Sequence, residues 1–556
     1  MATRVNLPST LSVEVFPTQA SGPFPEQSGE RYSTASSLWG ACFSGGGPRA
    51  FAAALGQMRG LNAVGVLPFI GTISCVSGGT WFGVPFSYSP VFTDDELLGA
   101  VVPPQQITVG GLQTIPARCL GAALLNLTDA NLVAYYGFLW ALYLAGQLPF
   151  NRIYSRLLNL LILSPFSLDD LYTYFALDSD NVTEIVQNNS SLSPKDFYTL
   201  RPGRPFLVAG GTQIYPLGPD LGPGDFSVSR PQSRTRTSLG LLQLPGQVYR
   251  SFEYTPLYVG TSQLYTAAGC SGSDFGGGFV ESFGFDSLGP SAPPENSRVV
   301  LSTPQQQFLL SDVMGSSSAA FASVLDEIDL EAAGPEFSYW ALDHIGNEPT
   351  CVYSFGDGGI LENTGIVPLL RRQYPVIFAF VNSPYPVGST DDGCYDGVDG
   401  QISRLFGFIP KNDFGNSQNT QIFPESQFAQ LSQGLKQSKA AGGVVVYAGA
   451  FTIQTPNPFD VASYPGNSEV LIFWLYNDLN QQWYGQLPPS VQNLLSSTQP
   501  SNYMANFPNY ATVLQNEGEL LFLTPQQINL LADMWSYNII SGFTESGKAF
   551  GMTLPK

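Results

Sequence analysis

Three short segments carry residue types that do chemistry together. Ser44-Gly-Gly-Gly-Pro-Arg49 sets three successive glycines between a serine and an arginine, Ser77-Gly78-Gly79 closes an apolar run, and Asp357 stands among glycines in Phe355-Gly-Asp-Gly-Gly-Ile360. A serine on a tight strand-to-helix turn has its hydroxyl lifted clear of the sheet, at the positive end of the following helix. Consecutive glycines turn bare backbone N–H groups toward a developing oxyanion. Acyl transfer is the chemistry this combination suits. A serine also needs a base, and the chain has a single histidine, His344, in the loop-like stretch Leu342-Asp-His-Ile-Gly-Asn347. With no helper motif around it, His344 reads as a structural residue. Asp357 is the preferred base, because flanking glycines let a strand-end carboxylate approach another loop closely.

Each segment has a plainer reading. Gly45 to Ala50 also fits the G-x-G-x-x-G/A dinucleotide fingerprint, following a strand and opening a helix. The acidic residue that would hold a ribose is missing from Leu67 to Val76, and no G-K-[ST] ending supports a P-loop. Ser74-Cys-Val-Ser-Gly-Gly79 is a G-x-S-x-G elbow whose first glycine has become Cys75, a residue small enough for the turn. Ser-Gly-Gly and Asp-Gly alone are ordinary turns.

From Leu38 onward short apolar runs alternate with helical segments, which predicts an α/β fold with three layers, α/β/α, around a mixed central sheet. Strands are expected at Leu38 to Phe43, Gly71 to Val76, Pro205 to Ala209 and Val376 to Val381. Helices are expected at Arg49 to Val64, Asn131 to Gln147, Leu168 to Ala176, Ala319 to Leu330 and Pro525 to Tyr537. Residues 1–36, rich in Pro, Ser and Thr, read as an extended arm with one edge strand. Residues 37–556 read as one catalytic region with lid-like insertions at about 130–200 and 216–294, and the Gly-, Pro- and Ser-dense stretches 216–247 and 269–294 read as long loops.

At 556 residues and 44% hydrophobic, the chain can bury a large core. A net charge of −20 with only 23 basic residues speaks against nucleic-acid binding and against attraction to anionic lipid. Contact with a membrane would be peripheral, through apolar and aromatic side chains. The apolar run Leu132 to Leu148 is about the minimum length for a bilayer, ends at Pro149 and contains Tyr135, Tyr136 and Tyr143, so a buried or lid helix is expected. The first residues show no basic start followed by an apolar stretch, which predicts a cytoplasmic address. Six cysteines without C-x-x-C spacing predict reduced thiols, with neither a zinc site nor a disulfide framework. Asp391, Asp392, Asp396 and Asp399 are hard oxygen ligands of a kind calcium takes, but they do not match the EF-hand loop. A solvated acidic turn is expected there, and no cofactor is required.

Taken in order, SGGGPR, Ser-Gly-Gly-Thr-Trp81 and Asp-Gly-Gly359 resemble the catalytic domain of cytosolic phospholipase A2, within the wider patatin-like lipases. Phe252-Glu-Tyr-Thr-Pro-Leu-Tyr-Val-Gly260, Met314-Gly-Ser-Ser-Ser-Ala-Ala-Phe321 and Phe507-Pro-Asn-Tyr-Ala-Thr512 are similar to further segments of that family. The resemblance runs from about Trp39 to Ile540. It implies a Ser-Asp dyad of Ser77 and Asp357, oxyanion N–H groups from Gly46 and Gly47, and Arg49 near a substrate phosphate. It also implies a second arginine after the aspartate, at Arg371 or Arg372. The implied activity is hydrolysis of phospholipid or lysophospholipid acyl esters at a membrane or micelle surface. An acyltransferase, a neutral-lipid hydrolase and a catalytically silent lipid-binding protein are the alternatives. Cys75 departs from the family's elbow, and the calcium-binding β-sandwich of that family is not seen ahead of the catalytic region.

Overall fold

A computed structural model of the chain describes residues 9–17, 24–27, 39–216, 247–266, 274–290, 292–304, 306–321, 334–340, 342, 345, 350–411, 418–496, 504–510, 522–543 and 548–553. His344 lies outside them, as do 217–246 of the expected lid-like loop and 322–330 of the helix expected from Ala319. The helices that matter for the site are α1 (Gly47–Ala63), α2 (Gly78–Tyr88), α3 (Asp129–Leu144), α4 (Ile153–Leu158), α5 (Leu310–Ser317) and α6 (Pro525–Gly542).

Among the described residues one mixed sheet contains 13 strands. They are β1 (Thr10–Pro17), β2 (Trp39–Phe43), β3 (Ile70–Val76), β4 (Phe206–Pro216), β5 (Gln247–Tyr254), β6 (Tyr258–Tyr265), β7 (Phe275–Glu281), β8 (Arg298–Ser302), β9 (Glu336–Tyr339), β10 (Cys351–Asp357), β11 (Val376–Val381), β12 (Val446–Phe451) and β13 (Val470–Tyr476). The order is β8-β1-β7-β6-β5-β4-β3-β2-β11-β13-β12, with β10 pairing β4 and β9 pairing β10. β4, β3, β2, β11 and β13 run parallel, whereas the strands from β5 to β8 pair antiparallel.

The parallel strands are near-continuous apolar runs such as Val376-Ile-Phe-Ala-Phe-Val381, the pattern of strands covered on both faces. Their side chains alternate between two cores. Phe43, Phe378, Phe380 and Phe473 join the core that holds α1 and α6. Cys42, Ile377, Ala379, Ile472 and Trp474 join a second core with Leu369, Leu370, Leu431 and Leu435 from the helices Ile366–Arg371 and Phe428–Ala440. A period of two on a sheet covered by helices on both sides is what makes the three layers.

Several expectations change. β1 is not an edge strand, since it lies between β7 and β8. The helix expected over Leu168 to Ala176 is absent: the Asp170 carboxylate accepts the Tyr172 N–H at 2.7 Å in a tight turn, and Tyr174–Ala176 is a short strand beside Phe197–Thr199. The stretch 269–294 contains β7, whose glycines had suggested a loop; they sit where the β6–β7 register shifts in a bulge. Cys351 is disulfide-bonded, which corrects the expectation of six reduced thiols, while Cys42, Cys75, Cys119 and Cys394 are free. The expected Asn131 to Gln147 helix appears as α3, capped by the Thr128 hydroxyl.

Candidate active site

Register on β4 brings Ser77 and Asp357 together. β3 runs parallel to β4 and ends with Val76 opposite Gly210. β10 runs antiparallel to the continuation of β4 and ends with Asp357 opposite Gly211, the next residue. The two strands therefore meet head-on along one edge of β4, and the residues at their ends face each other. The Ser77 hydroxyl donates to Asp357 Oδ2 at 2.9 Å across 280 positions of sequence.

Ser77 occupies the strand-to-helix turn with φ 51° and ψ −121°, a region that non-glycine residues rarely enter. Such strain costs on the order of 1–3 kcal/mol and persists only where the surroundings over-determine it. Here the surroundings are the C-terminal end of α5. The Ser77 N–H donates to both the backbone oxygen and the hydroxyl of Ser317, each at 3.1 Å. The Ser317 hydroxyl in turn donates to the Gly210 carbonyl at 2.7 Å and lies 2.8 Å from Thr80 Oγ1. Next to it, Ser318 Oγ accepts from Trp81 Nε1 at 2.8 Å, and its carbonyl accepts from the Tyr154 hydroxyl at 2.8 Å. The elbow is thus pinned by residues that the sequence reading did not single out for the site. Their signal was the triple serine Ser316-Ser-Ser318 closing an apolar helix.

The glycine loop touches the elbow from the other side. Gly46 and Gly47 have φ of 132° and 56°. A β-carbon on Gly78 would stand 2.1 Å from the Gly47 oxygen and 2.6 Å from its nitrogen, so only glycine permits this approach. One on Gly45 would stand 2.9 Å from the Ser77 β-carbon. The loop is anchored by Gly45 N–H to the Asn363 carbonyl at 3.0 Å and by the Asn382 N–H to the Ser44 hydroxyl at 2.8 Å. Cys75 is buried in β3 next to this turn, and Ser77 takes its elbow conformation with cysteine there.

Asp357 is 4% exposed. Burial pushes its carboxyl up to about 6, against the lowering effect of hydrogen bonds from the Gly359 N–H, the Ser77 hydroxyl and the Ala320 N–H. A carboxylate held near neutrality, aligned on a hydroxyl, is suited to accept that hydroxyl's proton.

Arg49 is buried on α1. Its Nε donates to the Asn382 carbonyl at 3.1 Å and Nη1 to that of Tyr510, while Nη2 stands beside Gly46. Arg371 and Arg372 are both drawn into a carboxylate cluster with Glu253, at 3.2 and 2.8 Å, and Arg372 also meets Glu26 at 2.6 Å. These partners lie on other elements than the dyad. The four aspartates of the acidic turn have separate partners: Asp391 accepts the Gly393 N–H, Asp392 faces Lys411, Asp396 faces Lys436, and Asp399 accepts from the Ser383 hydroxyl. Among the described residues no group of three or more potential ligands converges on a metal position. A small, partly open recess at the strand junction is lined by Val76, Gly210, Gly358 and Glu362 among others. Neither Ser77 nor Asp357 lines it, so it is not where an ester would meet the hydroxyl.

No protein-family model matches the chain, and no curated protein does. Among solved structures, human GIVD cytosolic phospholipase A2 aligns with a TM-score of 0.44 at 12% identity, over 91% of this chain and 61% of that one. The same protein in complex with methyl γ-linolenyl fluorophosphonate aligns with a TM-score of 0.37 at 11% identity, over 91% of this chain and 57% of that one. The chain thus spans less than two thirds of those proteins. At this identity and TM-score the likeness assigns no role to any residue.

Proposed function

We propose that the protein is a lipid acyl-ester hydrolase, a phospholipase A2 or lysophospholipase working through a Ser77–Asp357 dyad. The observation that carries this reading is the 2.9 Å hydrogen bond from a strained elbow serine to a buried carboxylate. In the first half-reaction Asp357 accepts the Ser77 proton as Oγ attacks the acyl carbonyl, and the proton passes to the departing alcohol as the ester C–O bond breaks. In the second, Asp357 accepts a proton from water, whose oxygen attacks the acyl-enzyme, and Ser77 regains its proton as the fatty acid leaves. The Gly46 and Gly47 N–H groups and the N-terminus of α2 supply positive potential for the tetrahedral oxyanion. Arg49 as the phosphate contact is a separate element of the reading, motivated by Nη2 beside Gly46. A selective loss on phosphate-bearing over neutral esters in Arg49→Lys supports it, and an equal loss on both removes it.

The activity is proposed without a metal or cofactor, at a membrane or micelle surface. Among the described residues no helix is long and apolar enough to cross a membrane. A cytoplasmic address belongs to the same proposal, and the disulfide at Cys351 is the observation against it, since disulfides persist mainly in oxidising compartments. The deciding experiment is labelling by a fluorophosphonate lipid probe, with hydrolysis of phosphatidylcholine and lysophosphatidylcholine micelles alongside. Labelling of wild type and none of Ser77→Ala is the expected result. Absence of labelling and of hydrolysis in the wild type leaves a silent lipid-binding protein.

A further inference from the structure

Among the described residues, exposed large apolar side chains such as Val91 and Ile409 occur at scattered positions along the chain. α3 is different. Val133, Phe138 and Leu144 are 57%, 52% and 72% exposed. Only Leu132, Tyr136 and Leu139 of this helix are buried. Behind the exposed face the rings of Tyr136, Trp140, Tyr143 and Phe150 are in mutual contact, with centroids 5.2 to 6.0 Å apart along the series. No Lys, Arg, Asp or Glu occurs between Asp129 and Arg152, although the whole chain carries a charge of −20.

We propose that α3 lies in the surface of a zwitterionic lipid bilayer and seats the protein there. This rests on the hydrolase reading for its purpose, but the surface is argued independently. The helix has 16 residues, short of the ~20 needed to span, so its apolar face can lie in the interface and not cross it. Tyr and Trp favour the headgroup level because each joins an apolar ring to a polar tip. The charge pattern selects the lipid: an acidic protein is repelled by an anionic surface, and a helix without cations has nothing to offset that repulsion. The buried side of α3 is linked to the elbow through neighbouring helices. α3 packs on α4, and Tyr154 of α4 donates to Ser318, adjoining the Ser317 that pins Ser77.

The test is flotation of the full chain with phosphatidylcholine vesicles, beside hydrolysis of p-nitrophenyl butyrate in their absence. Wild type is expected to float, and Phe138→Asp/Leu144→Asp to partition at least about ten-fold less, since removing a buried large apolar side chain weakens transfer by one to two orders of magnitude. Butyrate hydrolysis and melting temperature should be unchanged, because both positions face solvent. Val133→Asp is the second variant, with a smaller loss in the same direction. Equal flotation of wild type and variants overturns the proposal. So does failure of the wild type to bind, which would leave the face to a protein partner, or stronger binding to phosphatidylserine than to phosphatidylcholine. If flotation behaves as expected but the wild type hydrolyses no ester, the surface stands and the hydrolase reading falls.

Discussion

Two buried carboxylates at the two ends of α5 show what burial does with and without cations. Asp312, at its N-terminal end, receives Arg152 and Arg156, each at 2.9 Å, and the Leu309 N–H at 2.9 Å. The two guanidiniums overcome desolvation and hold its carboxyl below the usual range. Asp357, near the other end, has hydrogen bonds and, among the described residues, no paired cation, and burial pushes it up to about 6. One guanidinium is not enough to reverse the effect, because Asp533, which faces Arg59 at 2.9 Å, is also pushed up to about 6. Glu253, with Arg371 and Arg372, behaves as Asp312 does. The doubly paired carboxylates are fixed anions that brace the fold, whereas Asp357 can change its protonation state near neutral pH. This is the difference between a group that holds structure and one that can move a proton.

The largest effect that can break this comparison is catalytic. Ser77→Ala and Asp357→Asn are each expected to lower kcat on a soluble ester by roughly four orders of magnitude. Asp357→Asn should melt no lower than wild type at pH 7, because it removes a carboxyl that burial disfavours. A variant at Asp357 that keeps its activity would move the base elsewhere. Next comes Asp312→Ala, which takes the carboxylate from the buried Arg156 and leaves Arg152 with Asp286, and should cost about 3–5 kcal/mol in chemical denaturation. Little loss there would mean that the Arg152–Arg156 cluster does not brace α5.

A smaller structural effect is expected from Gly78→Ala, whose β-carbon would overlap the Gly47 backbone at 2.1 Å. A loss of about 1–3 kcal/mol in stability is expected, together with reduced labelling at Ser77. Full labelling would show that loop and elbow need not touch. The smallest effect is in the pH profile. If Asp357 is the proposed base, only its ionised form can accept the proton, and kcat/KM should fall about ten-fold per pH unit below about 6. Stability follows opposite signs at the two carboxylates. Asp357, raised on folding, stabilises below the ordinary carboxylate range near 3.8 and loses that contribution as pH rises through about 6. Asp312, lowered on folding, contributes above 3.8 and loses it as pH falls. Melting temperature against pH for Asp357→Asn should be flatter than wild type between about 4 and 6, and an unchanged slope would place the titrating group elsewhere.

Local signals carried much of this protein. Four of the five parallel strands were legible as apolar runs, and α1 and the two turns followed from glycines at their ends, whereas β13 was not among the expected strands. β7 was not, because glycines that accommodate a bulge in a sheet read as loop when its partners are unknown. The strand Tyr174–Ala176 was missed because short apolar segments fit a helix or a strand equally, and the deciding Asp170 turn is a side-chain hydrogen bond. Arg371 and Arg372 could not be told apart by position, and both proved to be bound to Glu253, a residue more than a hundred positions away.

The sequence by itself determined the residue types that can do acyl chemistry, the glycines that let loop and elbow meet, and the apolar runs that place each at a strand end. Those are properties of neighbours along the chain, set by sterics and by a period of two or 3.6. That Asp357, the carboxylate preferred from its flanking glycines, is in contact with Ser77 was decided only by the tertiary structure. Asp357 reaches it because β3 and β10 stop at adjacent residues of β4, Gly210 and Gly211, and no motif contains that strand. The proton affinity of Asp357 likewise depends on how many guanidiniums the fold brings to it, a count that no local pattern records.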